Sequence, residues 1–182
     1  TIDSFAHPYQ ETSMTISMHS ASVPVFTRML GHLVSWMDKA EAHAQAKKFD
    51  PSVYLAARLA PDMLPFTKQI QIACDAVKFG VARLGGVEAP KFDDTEASLA
   101  DLRERIRKTL EFIRSVPADA IDGTEAKDIT VPRRDGNITM KGEAYLKNYV
   151  LPNFFFHVTT AYALLRHNGV ELGKGDYLGS LT

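Results

Sequence analysis

The side chains able to do chemistry in this chain are few. Of its six histidines, His157 lies in the middle of a long apolar run at 143–167, EAYLKNYVLPNFFFHVTTAYALLRH, which ends at His167. On a helix turning 100° per residue it shares a face with Leu146, Val150, Phe154, Ala161, Leu164 and Leu165, so the spacing predicts an inward imidazole. An imidazole so placed serves as a metal ligand, as a general base, or as a buried group hydrogen-bonded to Asn153, Gln69 or a tyrosine. Three-ligand metal centres on helices draw on side chains at i,i+3 or i,i+4. No two histidines here have that spacing, so a site has to be assembled between helices. The candidates are His157 and His19 as metal ligands, with Asp62 beside His157 as the catalytic pair and Gln69, Asn153 and Tyr162 lining the pocket. Asp62, between Pro61 and Met63, has two readings: the cap of a helix, or the carboxylate that makes His157 a general base. Cys74 lies between Ile70 and Val77 on an apolar face and reads as an inert core thiol. No Gly-x-Ser-x-Gly turn, phosphate loop or His-Glu-x-x-His is present. Gly173-x-Gly175 has no strand before it and no helix after it, which excludes a dinucleotide fingerprint.

These residues must be positioned by helices. A first helix opens at Ser20 or Ser22, takes Pro24 in its first turn and runs to about Lys47. Val23, Phe26, Leu30, Leu33, Met37, Ala40 and Ala44 form its core stripe, which His19 extends, while His32 and His43 read as solvated. A short helix is expected at 51–59 and a second long one from Asp62 to Leu84, stopped by Gly85-Gly86. Phe66, Ile70, Ala73, Cys74, Val77 and Val81 face inward; Lys68, Gln71, Asp75 and Lys78 are expected in water. Asp94 or Thr95 caps a third helix whose exposed side alternates sign and pairs Asp101 with Arg105 and Glu104 with Lys108. At 128–131 and 137–140 the period changes to two around Arg133-Arg-Asp-Gly, which predicts a β-hairpin packed on the helices through Ile129, Val131, Ile138 and Met140. The last helix starts near Gly142, is interrupted at Pro152 and ends at Asn168-Gly169. Successive Phe154, Phe155 and Phe156 cannot all face one pocket; Phe156 is the one expected at a subunit contact.

A chain of 182 residues, 45% hydrophobic and 24% charged, is one ordinary globular domain, here 14–182, preceded by an aperiodic and flexible extension at 1–13 with Met14 a natural start. Its net charge of -1 gives no basic footprint for nucleic acid or an anionic membrane. A single cysteine and the lack of a long uncharged apolar run or signal pattern lead to the expectation of a cytoplasmic protein outside the membrane.

Four segments add a resemblance: SVPVFTRML at 22–30, RLAPDMLPFTKQIQIACD at 58–75, LPNFFFHVTTAYALLRHNGVELGK at 151–174 and the DYLG that follows. They resemble the diagnostic blocks of a domain-of-unknown-function family in the DinB/YfiT-like metalloenzyme superfamily, over essentially 14–179. The resemblance implies an all-α four-helix bundle with a small hairpin before the last helix, commonly dimeric. It also implies a divalent metal such as zinc or nickel, held by one histidine from the second helix and a His-x3-His pair from the fourth. His157 matches the first of that pair, Ala161 stands at the second, and the second helix has no histidine. Two functions follow by analogy. One is a metal-dependent transferase or hydrolase acting on a small molecule between the helices. The other is a non-catalytic homodimeric bundle binding a small molecule or protein partner, its metal site lost.

Overall fold

A computed structural model describes residues 16–133 and 135–180; the extension expected at 1–13 lies outside them. Helix α1, Val23–Lys47, begins where expected, with Pro24 in its first turn. Ser22 stands at the cap position, but its Oγ donates to the Met18 carbonyl at 2.6 Å and caps nothing. Asp50 accepts from the Ser52 N–H at 2.8 Å and opens a single 3-10 turn, Pro51–Tyr54, where a longer helix was predicted.

Helix α2 is Phe66–Gly85, four residues shorter at its start than the sequence suggests. Pro61 and Pro65 explain the difference, because each lacks an N–H and holds the residue before it out of the helical region. The first free donors of α2 are satisfied from outside, Phe66 N–H by the Ala57 carbonyl and Thr67 N–H by that of Leu55. Helix α3, Leu99–Ser115, is capped by Ser98, whose Oγ accepts from the Asp101 N–H at 3.1 Å; Asp94 and Thr95 are not the cap.

A short α4, Ala118–Ile121, leads to strands β1, Asp128–Val131, and β2, Ile138–Lys141, paired antiparallel with Ile129 opposite Met140 and Val131 opposite Ile138. Ile129 and Val131 are buried as predicted; Ile138 is exposed, and Met140 is half-buried against the core. Helix α5, Gly142–Tyr145, passes through a π-helical segment, Leu146–Val150, into α6, Leu151–His167. The proline at 152 therefore does not break the run: the π turn, closed by Leu151 N–H to the Leu146 carbonyl, leads into α6 with Pro152 in its first turn, where its missing N–H is tolerated. Gly169, at φ +89°, makes the left-handed stop. Beyond it the glycine-rich tail forms a further short helix, α7, Lys174–Leu178.

Side-chain pairs fix the directions. Phe26 meets Phe154 at 5.1 Å and Trp36 meets Tyr162 at 5.4 Å, so α1 and α6 run parallel. Gln69 pairs with His157 while Gly80 abuts Val150, so α2 runs against α6. Arg105 pairs with Asp75 and Val116 abuts Gly85, so α3 runs alongside α2. The bundle is thus up-down-down-up, and residues 87–98 must return along its length. That return covers the face of α2 expected in water: Gln71 and Lys78 are buried, and Arg105 is only 3% exposed. Arg105 bonds Asp75, Asp94 and Glu96 instead of its helix neighbour Asp101. Gly80 permits the close α2 crossing, since a Cβ there would lie 2.6 Å from Val150 Cγ1. Among the described residues no helix is long and apolar enough to cross a membrane.

Candidate functional site

Two antiparallel helices set the site. Position 69 is one turn into α2 and position 157 two turns into α6, and their side chains meet where the helices cross. His157 is 8% exposed and donates from Nδ1 to Gln69 Oε1 at 2.7 Å. The Gln69 amide cannot rotate the other way, because its Nε2 donates to the Leu64 carbonyl at 2.9 Å. A fixed acceptor at Nδ1 fixes the tautomer: the proton sits on Nδ1, and Nε2 carries the lone pair. Burial holds the imidazole below its ordinary pKa of 6.5, so the neutral form persists at neutral pH. The result is a hydrogen-bond acceptor, or a base, of set orientation.

Phe156 meets the imidazole edge-on at 5.2 Å. Its own ring stands 57% exposed on the wall of an apolar groove that Leu59, Met63, Pro152, Phe155 and Thr160 continue. The groove runs between the turn before α2 and the outer face of α6; His157 does not line it and sits behind the Phe156 ring.

Not every predicted member is here. Asp62 is exposed in the turn before α2, outside any helix, so it neither caps α2 nor supplies the imidazole's partner. His19 is half-buried, and its backbone N–H donates to Asp122 at 2.7 Å, at the end of the bundle where Gly85 meets Val116 and Ile121. Gln69 and that end are separated by nearly all of α2, about 24 Å at 1.5 Å per residue, so His19 and His157 share no ion. Asn153 is half-buried one turn before His157, but the imidazole proton goes to Gln69. Tyr162 faces the other way, packing on Trp36 and Tyr177. Of the predicted pocket, His157 and Gln69 come together.

The donor set does not fit a zinc or nickel ion. One imidazole faces one amide oxygen, and among the described residues no group of three or more His, Cys, Asp or Glu side chains is placed to hold a metal. Cys74 is buried, its thiol pushed up to about 12 by burial, which makes it the inert core group its sequence neighbours suggest. His32 and His43 are not solvated as predicted. Both are half-buried, with His32 Nδ1 at 3.0 Å from the Tyr177 carbonyl and His43 Nδ1 at 2.7 Å from the Tyr54 hydroxyl. Helix periodicity alone could not find these pairs, because their partners come from the tail and from the 51–54 turn.

Comparisons with known proteins agree with this fold. A solved structure described as a DinB family member protein from Shewanella denitrificans is 42% identical, with a TM-score of 0.83 over 90% of this chain and 92% of that one. No curated protein matches the chain. The family model described as Domain of unknown function (DUF1993) matches residues 18–178, and the chain, a DinB-like four-helix bundle, belongs to that family.

Proposed function

We propose that this protein is a homodimeric binding protein, taking a small, partly apolar molecule into the groove between residues 59–64 and α6. His157 Nε2 accepts a hydrogen bond from a ligand that displaces the exposed Phe156 ring in front of it, and no metal takes part. The observation carrying this reading is the 2.7 Å bond from His157 to Gln69, an anchored amide on α2, the helix from which the resemblance implies a ligand histidine. Phe155, Phe156 and Met63 supply the apolar wall, and a second copy seated over Phe156 would close an otherwise open groove against water. One observation favours a second role for the same site. A neutral imidazole with its lone pair at Nε2 also has the protonation state a general base needs, so a bound molecule acidic enough to yield to a base weakened by burial would give up its proton there.

Elemental analysis of untagged protein, paired with His157→Ala, tests the metal-free part. Zinc and nickel well below one ion per chain, the same in both proteins, are expected; one ion per chain that disappears in the variant restores the metalloenzyme reading. A thermal-shift screen of small molecules tests the groove, because binding raises Tm by mass action. Hits should lose their shift in both His157→Ala and Phe156→Ala. Hits indifferent to both substitutions place the ligand elsewhere.

A further inference from the structure

Away from His157, at the far end of α1, a second histidine is held with unusual care. His43 Nδ1 lies 2.7 Å from the hydroxyl of Tyr54, a side chain 1% exposed. Phe49 packs edge-on to the imidazole at 5.7 Å and edge-on to Tyr54 at 5.7 Å. On the fourth side is Gly169, where a Cβ would sit 3.3 Å from His43 Cε1 and 3.6 Å from Nε2. A left-handed glycine therefore leaves the outer edge of the ring clear.

The hydrogen bond sets what that edge offers. An enclosed phenol with its proton unused would lose a hydrogen bond's worth of stability, and burial raises the Tyr54 pKa, so the phenol keeps its proton. Tyr54 accordingly donates to Nδ1, and the neutral imidazole carries its own proton on Nε2. Protonated, the ring also presents Nε2–H. His43 offers a donor outward in either state.

That edge lines a groove of about 550 Å³ formed by Lys39, Ala42, His43, Ala46, Lys47, Gly169 and Glu171. Five of these are one face of α1 at i,i+3 and i,i+4 spacing. Lys39 is already paired with Asp176 at 2.6 Å and closes one end. Lys47, exposed in the last turn of α1, flanks His43 on the other side. Ala42 and Ala46 form a floor of methyl groups, and the exposed Glu171 carboxylate is at the rim.

We propose that this groove binds a short aliphatic carboxylate. Its two oxygens take the His43 Nε2–H and the Lys47 ammonium, and its hydrocarbon chain lies on Ala42 and Ala46. Charge-assisted bonds to a pre-oriented donor supply the affinity, and the methyl floor supplies the preference for a carbon chain over a bare ion.

Side-chain 1H–15N NMR of the full chain tests this, with butyrate and acetate as probes and chloride at matched ionic strength as control. The expected result is a saturable shift of the His43 Nε2 and Cε1–H signals, several-fold tighter for butyrate than acetate, with His32 unmoved. Lys47→Ala should weaken butyrate about tenfold and Glu171→Gln should tighten it. His43→Gln should abolish saturation; because that variant disturbs Tyr54, the surface substitutions at 47 and 171 decide the matter if it fails to fold. No saturable shift, a shift of His32 equal to that of His43, or indifference to Lys47→Ala overturns the site.

Discussion

Gln69 decides what His157 can be. With its Nε2 held by the Leu64 carbonyl, its oxygen is the fixed acceptor for the imidazole proton. Gln69→Leu removes that acceptor while filling similar space, leaving a buried N–H unpaired and the Leu64 carbonyl without its donor. The expected cost is about 1–3 kcal/mol, read from urea unfolding; combined with His157→Leu in a double-mutant cycle, the two losses should be clearly less than additive. The same histidine makes a pH prediction. Burial holds its folded pKa below the ordinary 6.5, so between those values the unfolded chain takes up a proton that the folded chain refuses. Its contribution is fully present above about pH 6.5 and is lost as pH falls through the folded value. His157→Leu should flatten that part of the stability profile, and a profile unchanged by the substitution would contradict the assignment. The inward direction of His157 was legible in the spacing of α6, and Gln69 stood among its possible partners. His19 and Asp62 were misplaced because helix register and the two prolines before α2 are settled by contacts distant in sequence.

At the scale of elements, what matters most is the segment that could not be read. Residues 87–98 contain no periodicity, yet they run back over α2 and α3 and turn a face read as solvated into an interior. Arg105 fastens them, reaching Asp94 at 3.1 Å, Glu96 at 2.9 Å and, on α2, Asp75 at 3.0 Å. Gln71 adds a bond to Glu96 at 2.6 Å, and Lys78 lies 4.3 Å above the Phe92 ring. In sequence, Asp101 and Arg105 look like an ordinary exposed i,i+4 pair; nothing local distinguishes an arginine in water from one beneath a crossover. Arg105→Met should cost about 2–4 kcal/mol, below the top of the range for broken buried pairs because Asp75 and Asp94 keep access to water. Cys74, the one thiol in the chain, lies beside this network and provides the readout. Its labelling under native conditions should be slow in the natural protein and markedly faster in Arg105→Met. Equal labelling rates would mean that Arg105 does not hold the crossover.

The whole bundle buries its apolar stripes well, and the legible features of the sequence account for that: three long amphipathic helices, a hairpin, and a fourth long helix apolar nearly all round. Up-down-down-up connectivity leaves α6 packed on α1 and α2, with Tyr177 of α7 against Tyr162 and an open strip at Phe155 and Phe156. Leu59 and Phe156 are both exposed on that strip and line the groove, whereas other exposed apolar residues such as Leu178 and Val87 lie elsewhere. Contiguous exposed apolar surface marks an interaction site, and a two-fold contact would place each Phe156 against the partner's copy of the same patch. Phe156→Asp separates assembly from folding. The ring is 57% exposed, so the isolated chain should lose no more than about 0.5 kcal/mol, while a charge in the proposed contact should drive the mass seen by light scattering from the two chains of the proposed dimer to one. Leu178→Asp, exposed but away from the groove, should leave the two-chain mass intact. A two-chain mass retained in Phe156→Asp would remove α6 from the subunit contact, and with it the closure of the groove by a second copy.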